Sequence, residues 1–348
     1  MRQSIKPMLV CAAMSLGLSG VGLAHAAELT VVNFGGANGN AQKAAYIEPF
    51  EKSTGTKVLV VEYNGELAKV KAMVETKTVN WDVVEVEAGA IGRACEEGLL
   101  ETIDINKIDK KADFMPEAIH ECGIGAFVWS TVLAYDADKL KTAPASWADF
   151  WNVSKFPGKR AMRKGARYNL EFALMADGVP TRDVYKVLAT KAGVDRAFKK
   201  LDQLKSNIQW WEAGAQPPQF LVAGDVVMST AYNGRIDSAQ REGKNLKVVW
   251  AGSIYDLDYW TIPKGSPNKA LAEKFIAYAS TPETQKAYAN KIAYGPVNKN
   301  TLKLLDAKTL ADLPTSDKNA KDAVQSNLKF WTDHGEDLEQ RFTAWAAK

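Results

Sequence analysis

The chain of 348 residues carries 44 Lys+Arg against 41 Asp+Glu, and its formal net charge is +3. Such a balance argues against a nucleic acid or an anionic membrane surface as the partner. The length is sufficient for two domains, each with its own hydrophobic core.

The first 26 residues have the pattern of a secretory signal peptide. Arg2 and Lys6 precede an apolar run over residues 8–23, and small residues follow it up to Ala26. We predict cleavage after Ala26 and a periplasmic location for the mature chain. A transmembrane anchor is the alternative, but the run is short for a bilayer span and contains Ser and several Gly.

Strands and helices alternate in the first part of the mature chain. Short connections between them indicate a doubly wound α/β sheet. The predicted elements are strands over residues 29–34, 57–62 and 81–86, a loop over 35–40, and helices over 41–53 and 66–76.

A second α/β lobe is predicted in the middle of the chain, and a mostly helical segment follows residue 298. The elements are strands over 127–135, 226–231 and 259–262, a helix capped by Ser146, and helices over 194–204, 219–223 and 270–279. We predict a clamshell with a hinge in the extended crossovers. Lobe 1 comprises residues 27–128 plus 259–298, and lobe 2 comprises 129–258 plus 299–348.

Two cysteines remain once the leader is removed, Cys95 and Cys122. In an oxidising compartment we expect them to form a disulfide. Two buried free thiols are the alternative. A metal site is disfavoured because His120 alone lies near them in sequence and neither CxxC nor HExxH spacing occurs.

Several short segments, in the same order and at the same spacing, resemble the spermidine/putrescine-type periplasmic binding proteins of ABC transporters. They are Val31-Val-Asn-Phe34, Trp81-Asp-Val-Val84, Glu97-Gly-Leu-Leu-Glu101, Ser146-Trp-Ala-Asp-Phe-Trp151, Pro157-Gly-Lys-Arg160, Gly224-Asp-Val-Val-Met228, Ala231-Tyr-Asn-Gly-Arg235 and Asp258-Tyr-Trp-Thr-Ile-Pro263. The resemblance covers nearly the whole mature chain. It implies a type II periplasmic-binding-protein fold, with two doubly wound α/β lobes joined by a hinge.

The resemblance also implies which residues contact the ligand. By matching positions these are Phe34, Glu87, Tyr232 and Asp258, with Asp256 two residues before the last. The carboxylates with which the family's second lobe holds the far end of a polyamine have no clear counterpart, since Gly165 and Tyr168 stand in that region.

The residue types fit a primary ammonium ligand. An ammonium group in a poorly hydrated cleft needs carboxylates and aromatic faces in place of water. Asp256 and Asp258 share one face of a strand and could point into the cleft together, or they could lie in a solvated turn or a salt bridge. We expect Trp211 to form a wall of the pocket, with a place in the core as the alternative.

Arg235 bears on the class of ligand. A cation in the pocket repels a diamine but pairs well with a carboxylate, which makes an ω-amino acid such as 4-aminobutyrate plausible. The alternative is a surface arginine neutralised by Asp237.

These observations predict an extracytoplasmic solute-binding protein that delivers a polyamine or an ω-amino acid to an inner-membrane ABC permease. We expect a monomer that needs no cofactor or metal. A periplasmic hydrolase is the alternative, but the mature chain has only His120 and His334 and no GxSxG, so we predict no enzymatic activity. A sensor that presents its ligand to a membrane receptor shares the same fold.

Overall fold

The computed structural model describes residues 28–347, so the predicted signal peptide lies outside the described residues. Strands and helices alternate along the chain, and the strands form one mixed sheet. This confirms the predicted α/β class. Across this part of the chain, no helix combines the length and apolar character that a membrane span requires.

The described strands all belong to one sheet. They are β1 (Glu28–Asn33), β2 (Lys57–Glu62), β3 (Val83–Glu87), β4 (Ile119–His120), β5 (Gly123–Asp136), β6 (Arg160–Arg163), β7 (Ile208–Trp211), β8 (Met228–Tyr232), β9 (Leu246–Thr261) and β10 (Val324–Gln325).

The α-helices alternate with these strands and form most of the C-terminal segment, as predicted. They are α1 (Gly36–Gln42), α2 (Glu48–Thr54), α3 (Leu67–Glu75), α4 (Ala88–Glu96), α5 (Trp147–Trp151), α6 (Asn169–Ala176), α7 (Val184–Leu188), α8 (Lys191–Asp202), α9 (Gln216–Ala223), α10 (Asn233–Arg241), α11 (Lys269–Ala279), α12 (Pro282–Ala289), α13 (Ala307–Asp312), α14 (Asp317–Ala320) and α15 (Leu328–Ala346).

The sheet consists of two parallel halves separated by two long strands. The first half is β2-β1-β3 and the second half is β8-β6-β7, and the pairings within each half are parallel. Between them lie β9 and β5, which run antiparallel to each other and to the neighbouring halves. Parallel strands in one half end at the same edge, so their last residues converge.

The long strands β5 and β9 connect the two halves. Their pairing shifts register between Thr131 and Leu133, where Gly252 on the partner strand has a φ of 69°. Such an irregularity lets a strand bend, as a hinge requires. The predicted lobe boundaries, 128/129 and 258/259, fall inside these two strands, and the assignment of the lobes stays a prediction.

The predicted loop over residues 35–40 is wrong, because α1 begins at Gly36 and continues through a π-helical turn into α2. Gly and Asn favour turns, which explains the expectation. Here the side chains of Asn38 and Gln42 donate to the buried Glu85, with distances of 2.8 Å and 2.7 Å. Tertiary contacts therefore override local propensity.

Two local predictions are confirmed. Ser146 caps α5 by accepting a hydrogen bond from the Asp149 N–H. Cys95 on α4 forms a disulfide with Cys122, with the two Cα atoms 5.8 Å apart. The disulfide ties α4 to the turn before β5.

The C-terminal helix α15 contacts both halves of the molecule. The carboxylate of Glu339 accepts hydrogen bonds from the backbone N–H groups of Ala166 and Arg167, which follow β6. On the other side, Glu336 lies 3.5 Å from Arg93 of α4. The helix therefore spans the division between the first and second halves.

Candidate functional site

A cavity lies between the two halves of the sheet, and residues of both halves line it. The lining residues are Phe34, Asn38, Asn64, Glu87, Phe127, Trp129, Arg163, Glu212, Gly214, Tyr232, Arg235, Asp258 and Tyr294.

Four lining residues come from the carboxyl ends of parallel strands. Phe34 follows β1, Glu87 ends β3, Arg163 ends β6 and Tyr232 ends β8. The crevice outside these strand ends is where open α/β sheets bind ligands. Asp258 reaches the same cavity from the long strand β9.

A pair of acidic side chains forms one end of the cavity. Asp258 is 4% exposed, and its Oδ1 accepts a hydrogen bond of 2.7 Å from the indole Nε1 of Trp129. Behind it lies the fully buried Glu85 on the neighbouring strand β3, two residues before Glu87, which pairs with Asp258. Burial raises the pKa of Asp258 well above its usual range, and the nearby charge of Glu85 raises it further.

The guanidinium of Arg235 faces the cavity from the first turn of α10. Arg235 is 7% exposed, and its Nη2 donates to the carbonyl oxygen of Phe34 at 3.3 Å. Its Nε and Nη1 find no hydrogen-bond acceptor within residues 28–347. A buried donor without a partner is costly, so these groups are suited to an anionic ligand atom.

The alternative considered for Arg235, a surface arginine neutralised by Asp237, is wrong. Asp237 does not neutralise it, because the Asp237 carboxylate lies 2.8 Å from Nε of Arg241, one helical turn further along α10. Arg235 is buried rather than placed on the surface.

A second arginine in the cavity is already paired. Nη1 of Arg163 lies 3.2 Å from the carboxylate of Glu87, so β6 of the second half is linked to β3 of the first half. In this ion pair the negative charge of Glu87 largely neutralises the positive charge of Arg163. Glu212, the other acidic lining residue, lies 3.0 Å from Nζ of Lys164. Arg235 and Asp258 therefore remain as the charged lining residues that can meet a ligand.

Aromatic rings line the space between these charges. Trp129 meets Tyr232 edge to face, with ring centroids 4.8 Å apart, and Phe127 stacks on Tyr294 at 4.9 Å. Rings in such contact exclude water, provide an apolar surface for methylene groups and attract a cation through their faces.

The family of proteins described as "Bacterial extracellular solute-binding protein" matches residues 45–322. The chain belongs to this family. This solute-binding protein is 59% identical, over 338 residues and 96% of each chain, to the gamma-aminobutyric acid-binding protein of Pseudomonas aeruginosa. It is 25% identical, over 90% of this chain and 89% of the relative, to the spermidine/putrescine-binding periplasmic protein of Salmonella typhimurium.

Solved structures agree with the fold. The Atu4243-GABA receptor superposes with a TM-score of 0.82 and is 37% identical, over 92% of this chain and 98% of the other. The predicted periplasmic-binding-protein fold is confirmed. The predicted resemblance to the spermidine/putrescine-type proteins is confirmed as well.

Two of the predicted site residues of this solute-binding protein lie outside the cavity. The carboxylate of Asp256 lies 2.5 Å from Nη2 of Arg167 and accepts a 2.8 Å hydrogen bond from the Tyr168 hydroxyl. Trp211 is 1% exposed, donates to Thr230 and packs behind the ring of Tyr232. Internal partners thus occupy both side chains, while the other five predicted residues line the cavity.

Several lining residues were not anticipated from the sequence. Trp129 lies in an apolar run that is indistinguishable from core. Asn38 lies in the segment expected to be a loop. Arg163 could have been found, because it ends a short strand at the edge where Tyr232 also lies. Glu85 gave a weaker signal, as an acidic residue inside an otherwise apolar strand.

Proposed function

We propose that this solute-binding protein captures an ω-amino acid such as 4-aminobutyrate between its two halves and delivers it to an ABC permease in the inner membrane. One observation carries the proposal. Once Arg163 is paired with Glu87, and Glu212 with Lys164, the charged side chains of the lining that are left for a ligand are the cation Arg235 and the acidic group Asp258. A zwitterion with one ammonium and one carboxylate group complements them.

The same charges disfavour a polyamine. A diamine would bring a second ammonium toward the guanidinium of Arg235, whose Nε and Nη1 need an acceptor. A carboxylate satisfies both donors at once. The similarity to a gamma-aminobutyric acid-binding protein, at 59% identity, is also much higher than the 25% to a spermidine/putrescine-binding protein.

The binding role fits an exported protein without catalytic activity. The leader pattern of residues 1–26 supports export with cleavage after Ala26. Neither His120 nor His334 lines the cavity, so no histidine can act as a base there. Release of the ligand would draw on the ATPase of the transporter, and the soluble component would act as a monomer.

Binding should depend on Arg235. We expect calorimetry to detect 4-aminobutyrate with much higher affinity than putrescine or spermidine. Arg235→Ala should weaken 4-aminobutyrate binding by about 30-fold or more, as expected when a buried charged partner is removed.

Arg241→Ala is the matched control. Arg241 lies on the same helix but is 45% exposed and paired with Asp237, so its loss should leave the affinity within about twofold. Equal affinities of the wild type and Arg235→Ala for 4-aminobutyrate would contradict the carboxylate role. Tighter binding of putrescine than of 4-aminobutyrate would contradict the proposed ligand class.

A further inference from the structure

Two carboxyl groups lie one behind the other at the acidic end of the cavity. Asp258 lines the cavity, and Glu85 of β3 lies behind it with no exposed surface. Glu85 accepts 2.8 Å and 2.7 Å hydrogen bonds from the amides of Asn38 and Gln42, one at each carboxyl oxygen. Asp258 accepts from the indole of Trp129. We call Glu85 and Asp258 the acid pair.

Two buried carboxyl groups so close together favour the retention of one proton. Two ionised carboxylates have only acceptors, and they repel each other strongly where water does not screen them. The acid pair is buried, and its two members lie on the same face of the neighbouring strands β3 and β9. Burial raises the pKa of both groups, and the charge of Glu85 adds to the rise at Asp258. The acid pair therefore retains one proton above the pH range in which ordinary carboxyl groups ionise.

Among residues 28–347, no cation forms a hydrogen bond with the acid pair that could replace this proton. Arg235 lowers the pKa of Glu85 through its charge, but it forms no hydrogen bond with either acid. Arg163 is held by Glu87, whose own charge raises the pKa of Asp258. Burial, first among the causes, raises the pKa of the facing phenols, so they stay neutral. These are Tyr46, Tyr63, Tyr288 and Tyr294.

We propose that Glu85 and Asp258 share one proton in the ligand-free protein, and that the ammonium group of an entering ligand displaces it. This inference rests on the proposed function. The ammonium N–H donates to Asp258, the carboxyl O–H bond breaks, and the proton passes to water and then to buffer. The positive charge of the ligand replaces that of the proton. Arg235 meets the carboxylate at the other end of the ligand.

Binding should then be linked to pH. The acid pair loses its proton on binding, so the affinity should rise with pH, by up to about tenfold per pH unit while the pair is protonated in the free protein and ionised in the complex. Titration calorimetry with 4-aminobutyrate, in buffers of different ionisation enthalpy at one pH, counts the protons released. We expect close to one per ligand.

Two isosteric variants test whether the proton released on binding comes from the acid pair. Glu85→Gln should still bind 4-aminobutyrate but should release fewer protons than the wild type, because it removes the Glu85 charge that adds to the effect of burial on the pKa of Asp258. Glu171→Gln removes another fully buried carboxyl that lies outside the cavity lining, and it should release as many protons as the wild type. Binding without proton release in the wild type, or undiminished release in Glu85→Gln, would overturn the proposal.

A measurement without ligand separates this inference from the proposed function. The indole Nε1–H of Trp129 donates to Asp258, so its NMR shift reports the ionisation of the acid pair. The Trp129 resonance is identified as the one that disappears in the Trp129→Phe variant. We expect a titration step well above the ordinary carboxyl range, which Glu85→Gln moves down. A wild-type step in the ordinary range refutes the shared proton, whereas failure to bind any ω-amino acid refutes only the proposed ligand.

Discussion

At the scale of the residue, Glu171 on α6 should make the stability of the protein depend on pH. It is fully buried, and its Oε1 accepts 2.9 Å hydrogen bonds from the Tyr185 hydroxyl and the indole of Trp331, a residue of α15. Its Oε2 has no hydrogen-bond partner among the described residues. Burial raises the pKa of Glu171 to about 7. Folding therefore favours the neutral acid.

The raised pKa sets the direction of the pH effect on stability. The stabilisation of the neutral acid is fully present below the unfolded pKa, near 4.5, and is lost as pH rises through about 7. Glu171→Gln should therefore stabilise the protein relative to the wild type at pH 8, by up to roughly 3 kcal/mol, and much less at pH 4.5. Thermal unfolding at both pH values measures this, and a difference that is independent of pH would contradict it.

Neighbouring residues of one type can differ in role for reasons that lie elsewhere in the chain. Asp256 and Asp258 share one face of β9, so spacing alone assigned both to the cleft. The Asp256 carboxylate instead accepts hydrogen bonds from Arg167 and Tyr168, which lie nearly ninety positions earlier in the chain. Arg235 and Asp258 were predictable because they lie in matched segments. That these two groups are left for a ligand was not predictable, because it depends on the pairing of Arg163 with Glu87.

At the scale of the element, the start of α1 depends on a glycine. Gly36 has a φ of 55°, and a Cβ atom there would lie 2.5 Å from Nη1 of Arg235. The backbone of α1 thus forms the surface against which this guanidinium lies. The sequence showed the glycines but not the arginine that packs on them, since Gly36 and Arg235 are far apart in the chain.

Gly36→Ala should therefore impair binding as well as stability. The positive φ costs about 1 kcal/mol with alanine, and the methyl group displaces Arg235, so we expect at least tenfold weaker binding of 4-aminobutyrate. Gly55→Ala is the control, since Gly55 has a φ of 72° with no atom within 4 Å of the added Cβ. It should lose similar stability and bind normally. Equal affinities of the two variants would count against the packing role of Gly36.

At the scale of the whole molecule, contacts away from the cavity hold the two halves together. Arg167 follows β6, pairs with Asp256 on β9, and lies so close to Gly89 of α4 that a Cβ there would overlap its Nη1. It also lies 5.9 Å from the ring of Trp331 on α15. A contact that forms in the closed state alone shifts the equilibrium between open and closed forms.

Arg167→Ala should weaken ligand binding although Arg167 does not line the cavity. We expect a several-fold loss of affinity and a larger radius of gyration of the ligand-free protein in small-angle X-ray scattering. Arg182→Ala, at a side chain 85% exposed, should change neither quantity. An Arg167→Ala protein with wild-type affinity and scattering would show that this contact does not favour closure.

The pairing of β3 with β9 determines when folding can finish. Val84 lies opposite Thr261, and the Thr261 hydroxyl donates to the Val84 carbonyl across 177 positions of chain. The edge of β3 that faces β9 therefore stays open until three-quarters of the polypeptide has been synthesised. Ladders between such distant segments close slowly. A nascent chain that completes its sheet so late stays incompletely folded for longer, which would suit the proposed export, because an unfolded chain can pass through a narrow channel.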